Sequence, residues 1–117
     1  MFDFEKLVTY QKAKTFNKKV IDFLSVNRNL DRATHDQLRR ASLSIMLNIA
    51  EGSGRFSNAD RSNFYIIARG SLYECVAIFD YLNDKHLIDN EIYNDFYSMA
   101  EEISKMIFGM IKNLKSV

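Results

Sequence analysis

The chain is 117 residues long with a formal net charge of +1, and 47% of its residues are hydrophobic and 26% charged. A chain of this size fits one domain with its own core, and the composition argues against disorder. It has no proline and only four glycines, so helix interiors meet few breakers, which favours an all-α fold.

The lone Cys75 lacks an intramolecular disulfide partner, and no CxxC pair is present for zinc. A reducing cytoplasm fits this usage. Met1-Phe2-Asp3-Phe4-Glu5 lacks the basic-then-apolar pattern of a signal peptide. No apolar run approaches the roughly 18 residues of a membrane span, so no membrane partner is expected. A net charge near zero predicts neither nucleic-acid nor membrane binding from bulk electrostatics. The charge is unevenly spread: residues 1–57 hold ten Lys/Arg against six Asp/Glu, and residues 58–117 hold six against nine.

The first helix is predicted over residues 4–26, where Leu7, Tyr10, Ala13, Phe16, Val20, Phe23 and Leu24 recur at three- and four-residue spacing. Lys12, Lys14, Lys18 and Lys19 lie between them and read as a solvated face before a polyanion-facing one. Residues 27–32 are polar and aperiodic, a loop. Thr34-His35-Asp36-Gln37 has the capping-box pattern, which starts helix two near His35. His35 reads as an exposed first-turn residue.

Helix two is predicted to run to about Glu51. Leu38, Ala41, Ile45 and Ile49 mark one apolar face, and Leu43, Met46, Leu47 and Ala50 mark another. A helix apolar on two sides packs in its own bundle and also against something else. The remaining polar stripe is Arg40, Ser44, Asn48, Glu51 and Arg55. Gly52 and Gly54 are expected to stop the helix in the left-handed C-cap conformation. Gly52-Ser53-Gly54-Arg55 before a helix start invites a phosphate-loop reading, but it joins two helices and lacks the strand–loop–helix context, so a simple turn is favoured.

Ser57-Asn58-Ala59-Asp60 is a second cap signature, with Ser57 as N-cap. It opens helix three over residues 58–85, with a core stripe of Phe64, Ile67, Ala68, Ser71, Leu72, Cys75, Phe79 and Leu82. Gly70 in mid-helix suggests a close backbone approach by helix two, which offers Ala41, Ser42, Ser44 and Ala50. After a short connection at residues 85–88, Asp89 caps helix four, whose apolar stripe runs Ile92, Phe96, Met99, Ile103, Met106 (or Ile107), Met110 and Leu114. Four helices with short links make an antiparallel up-down-up-down four-helix bundle in one domain, residues 1–117.

No nucleophile elbow, P-loop or dinucleotide fingerprint is present. A di-iron bundle needs Glu-x-x-His pairs, and no histidine lies three residues after Glu51, Glu74, Glu101 or Glu102. Cys75 reads as a small buried hydrophobe, and the methionines as core filler. Neither a cofactor, a metal nor a small-molecule substrate is expected, and no catalytic residues are assigned. Arg40, Glu51, Arg69 and Glu74 lie close to positions expected to be buried. The simple reading is an ion-pair network between helices two and three or across a subunit interface; the functional one is arginine contact with RNA or DNA phosphate. The candidates for an interface or a nucleic-acid contact are Arg39, Arg40, Asn48, Glu51, Arg55, Arg69 and Glu74.

Residues 37–45, Gln37-Leu38-Arg39-Arg40-Ala41-Ser42-Leu43-Ser44-Ile45, and residues 48–55, Asn48-Ile49-Ala50-Glu51-Gly52-Ser53-Gly54-Arg55, resemble the bacterial 23S rRNA intervening-sequence proteins. Ile67-Ala68-Arg69-Gly70-Ser71-Leu72-Tyr73-Glu74 resembles that family's second motif, and Tyr10-Gln11-Lys12-Ala13 its helix-one motif. The resemblance implies a four-helix bundle that assembles as a ring-like homo-pentamer. It implies similarity to the accessory protein of diversity-generating retroelements, whose partners are a reverse transcriptase and nucleic acid, and it implies no catalytic activity. The chain departs from the pattern at Tyr10, where tryptophan is expected, and at residues 29–33, which hold no proline.

Overall fold

A computed structural model describes residues 1–115. A short 3-10 turn, Asp3–Lys6, precedes four helices: α1 (Val8–Val26), α2 (Arg32–Ser53), α3 (Asn58–Asp84) and α4 (Asn90–Lys115). Each helix packs on its neighbours in the cyclic order α1–α2–α3–α4–α1. The result is an up-down-up-down four-helix bundle, a rod of 46 × 24 × 21 Å. The described residues contain no strand.

Local chemistry sets the helix ends. Asp31, rather than Thr34, caps α2: its Oδ1 accepts the Thr34 N–H at 2.7 Å and its Oδ2 accepts the Thr34 hydroxyl at 3.0 Å. The carboxylate three residues earlier takes the bond first, so α2 begins at Arg32. These bonds hold the Asp31 carboxyl below its ordinary value, the Thr34 backbone bond contributing most. Ser57 and Asp89 cap as their sequence context predicts, accepting the N–H groups of Asp60 at 3.1 Å and Ile92 at 2.8 Å. The α3 C-terminus closes with Leu87 N–H on Leu82 C=O and His86 N–H on Asn83 C=O. His86 takes the left-handed position, φ 58°, where glycine is usual.

The core follows one face of each helix. Phe16, Phe23, Phe79 and Phe96 cluster with ring centroids 4.2 to 5.9 Å apart. They lie between α1, α3 and α4, nearer the end carrying the α3–α4 turn. Met46, Met99 and Met110 fill partly buried positions against this core. On α3 the buried stripe is Tyr65, Ala68, Leu72, Cys75, Phe79 and Leu82. Ile67, expected inside, is 50% exposed, and Tyr65 takes the core position. Both sets of residues recur with helical spacing, so periodicity alone leaves the rotation of α3 undetermined.

Three glycines, Gly52, Gly54 and Gly70, behave differently from expectation. Gly52 is a buried helical residue of α2, not its terminus. The C-cap is Gly54 at φ −89°, a right-handed conformation, and among the described residues no glycine has positive φ. Gly52 is required by packing: a Cβ there would stand 2.7 Å from Tyr65 Cε1 and 2.9 Å from Phe64 Cβ on α3. The close approach of α2 and α3 is therefore at Gly52. Gly70 meets nothing within 4 Å and faces outward. The small α2 residues are distributed instead: Ser42 is buried and donates to Asn17 Oδ1 on α1 at 2.9 Å, while Ser44 and Ser71 hydroxyls meet at 2.9 Å across the α2–α3 seam.

Candidate functional site

Apart from Arg39, the sequence candidates fall on two seams or at the end of one. At the α2–α3 seam, Gln37 Nε2 donates to Glu74 Oε2 at 2.9 Å, and Asn48 Nδ2 donates to Ser44 C=O at 2.8 Å and to its Oγ at 2.9 Å. Arg40, Gln37, Ser44, Ser71 and Glu74 line an open cleft of about 500 Å³. Arg39 and Arg40 are exposed. Among the described residues of the single chain, no ion pair joins Arg40, Glu51, Arg69 and Glu74 between α2 and α3. Glu51 pairs instead with Arg55 at 3.4 Å at the end of its own helix, and Glu74 takes an amide donor. Both seams lie near the surface, where charged ends reach water without a counter-ion.

Apolar side chains stand beside this polar strip. Leu47 of α2 and Ile67 and Tyr81 of α3 are 52%, 50% and 47% exposed. Leu43, Gly70 and Ala77 are exposed with them. The bundle's own packing leaves this surface uncovered.

Arg69 sits at the other seam, between α3 and α4. Its guanidinium lies 4.7 Å from the Tyr73 ring centroid and 5.9 Å from that of Phe108. One guanidinium nitrogen donates to the Tyr73 hydroxyl at 2.7 Å. Its Nε is buried and has no partner in the described structure. Arg55, by contrast, lies at the α2–α3 turn, 4.5 Å over the Phe64 ring, and its C=O accepts from Arg61 Nε at 2.6 Å. Thus Arg40, Asn48 and Glu74 share one seam, Glu51 and Arg55 lie at its end, and Arg69 belongs to another site.

Sequence reading passed over Tyr73 and Phe108. Phe108 is 55% exposed and sits one position beyond the buried Ile107. An aromatic residue off the core register was the available signal.

The bundle interior offers little chemistry. Cys75 is fully buried, and burial, with Glu74 nearby as a smaller cause, pushes its thiol up to about 12. A thiol held protonated is a packing group rather than a nucleophile. Among the described residues no group of three His, Cys, Asp or Glu side chains could hold a metal ion, and no helix is long and apolar enough to cross a membrane.

A surface of paired seams around a closed core defines a helical-bundle protein whose distinguishing features lie outside. The 23S rRNA-intervening sequence protein profile matches residues 5–109, and the chain belongs to that family. It is similar to a solved protein of unknown function from the S23 ribosomal protein family of Bacteroides thetaiotaomicron VPI-5482, at 26% identity and a TM-score of 0.85. The likeness covers 90% of this chain and 99% of that one. No curated protein matches the chain.

Proposed function

We propose that the chain is a non-enzymatic, homo-oligomeric bundle, a ring of five copies, with an accessory role linked to nucleic acid. The observation that carries self-association is the exposed strip of Leu43, Leu47, Ile67, Gly70, Ala77 and Tyr81 along α2 and α3. Exposed large apolar side chains grouped along neighbouring helices mark an interaction site. Arg40 and Glu74 at the strip's edge supply polar groups of both signs for a different surface of the next copy, as a head-to-tail ring requires. The exposed Arg39 and Arg40 and the half-buried Arg69 support the nucleic-acid link.

Light scattering at micromolar concentration tests the assembly. Five copies of a 13.7 kDa chain give about 68 kDa, and a monomer contradicts the reading. Replacing Leu47 and Ile67 by aspartate is expected to yield monomers that keep their helical circular dichroism. Binding to RNA and DNA across a salt series tests the accessory role: affinity no better than that of a neutral control protein at low salt sinks it. A protein-docking scaffold is the second reading, favoured by the net charge of only +1. Pull-down of a defined protein with no nucleic acid supports that alternative.

A further inference from the structure

We propose that the groove between α3 and α4 is a binding site for single-stranded nucleic acid, centred on the Arg69–Tyr73–Phe108 stack. The proposal rests on the nucleic-acid part of the reading above and assigns it a place.

Two clefts of about 560 and 410 Å³ run along this seam and share Arg69 and Tyr73. Tyr73, Tyr97 and Phe108 are each about half exposed, at 54%, 45% and 55%. Exposed rings in one groove are stacking platforms, because every base presents a π-face. Tyr73 and Phe108 also flank the Arg69 guanidinium, and the Tyr73 hydroxyl fixes one of its ends. Arg69 is thereby positioned in advance, with little further ordering to lose on binding.

Charge selects the occupant. Among the described residues Arg69 pairs with no carboxylate, and its Nε is buried without a partner. With no carboxylate beside it, the guanidinium attracts an arriving anion through its remaining N–H groups. Lys105 and Lys115 line the same clefts on α4. Asp80 and Glu101 line the groove too. They repel phosphate and set one limit of the site, so the strand lies towards Phe108 and Lys115. Aromatic faces interleaved with cations match a single strand, whose bases are free to stack, better than a duplex, whose bases are closed.

A labelled oligouridylate of about twelve nucleotides, within the usual span of such sites, is the probe. Fluorescence anisotropy with the wild-type chain at about 50 mM salt is expected to show tighter binding to it than to a hairpin duplex. Phe108→Ala is expected to weaken binding at least about fivefold, with oligomeric mass and helical circular dichroism unchanged. Lys105→Gln and Lys115→Gln are each expected to lower the log–log salt slope by about 0.7. Wild-type binding that all three variants leave intact places the strand elsewhere: the groove assignment fails and the broader reading stands. No binding by the wild type overturns both. A hairpin bound as tightly as the single strand, or a Phe108→Ala chain that loses oligomeric mass, also overturns the assignment, the latter marking the groove as a protein interface.

Discussion

Helices α1 and α3 look alike from inside the bundle and unlike from outside. α1 buries Ala13, Phe16, Val20, Phe23 and Leu24 and turns mainly polar residues such as Gln11, Lys14, Lys18 and Asp22 to solvent, with Val8 and Val26 exposed at its ends and Ile21 near its last turn. α3 buries Ala68, Leu72, Cys75, Phe79 and Leu82 but leaves Ile66, Ile67, Tyr73 and Tyr81 exposed. One apolar stripe is all a bundle needs from each helix. The exposed apolar residues of α1 are mostly at its ends, whereas those of α3 run along its length. The apolar surface left exposed on α3 borders both the α2 seam and the α4 seam.

The two sides of α3 can be separated experimentally. The largest effect is expected at the inner side, at Cys75. The native state holds its thiol at about 12 against an ordinary 9.0. At pH 8 this leaves roughly a thousandfold less thiolate than in the unfolded chain. Modification by a disulfide reagent should be suppressed at least that far until denaturant is added; fast native labelling would show that the inner side of α3 opens. Because the folded value is raised, the associated stability is fully present below about pH 9 and is lost as pH rises towards 12.

The next effect concerns the α2 contact. Gly52→Ala places a Cβ 2.9 Å from Phe64 Cβ, an atom tied to the α3 backbone. Overpacking of this kind costs about 1–3 kcal/mol, set against a helix-propensity gain of about 1 kcal/mol. The clash should win, because relief requires the two helices to separate. A lower urea midpoint is expected; an unchanged midpoint would mean that α2 and α3 adjust freely. The smallest effect is at the outer side. Gly70→Ala meets open space and should stabilise the isolated chain by up to about 1 kcal/mol. It should nonetheless weaken self-association, which light scattering reads, because Gly70 lies within the exposed strip. Stabilisation with undiminished assembly would move the interface off that part of α3.

The helices and most of their caps were legible in the sequence because they depend on local chemistry. Ser57 and Asp89 cap through bonds only three residues long. What escaped reading depends on distant partners. Gly52 resembles a helix stop until Tyr65 and Phe64 of α3 are placed against it. The rotation of α3 was ambiguous because its apolar residues lie on two sides, and the second side is the exposed one. Arg39, Arg40, Asn48, Glu51, Arg55, Arg69 and Glu74 were recognised as distinctive. Their division between two seams required the tertiary structure, since Arg69 and Glu74 are five positions apart on one helix and point to different neighbours.

The ion pairs Lys12–Glu102, His35–Asp36 and Arg55–Glu51 all lie on exposed or half-exposed side chains. Such pairs contribute about 0–1 kcal/mol each, and salt screens them. The aromatic and aliphatic core that holds the four helices carries no charge for ions to reach. Ionic strength therefore acts on this molecule almost entirely from outside, on what approaches it rather than on its shape. A rod of this kind keeps its form while its affinities are tuned by the salt around it.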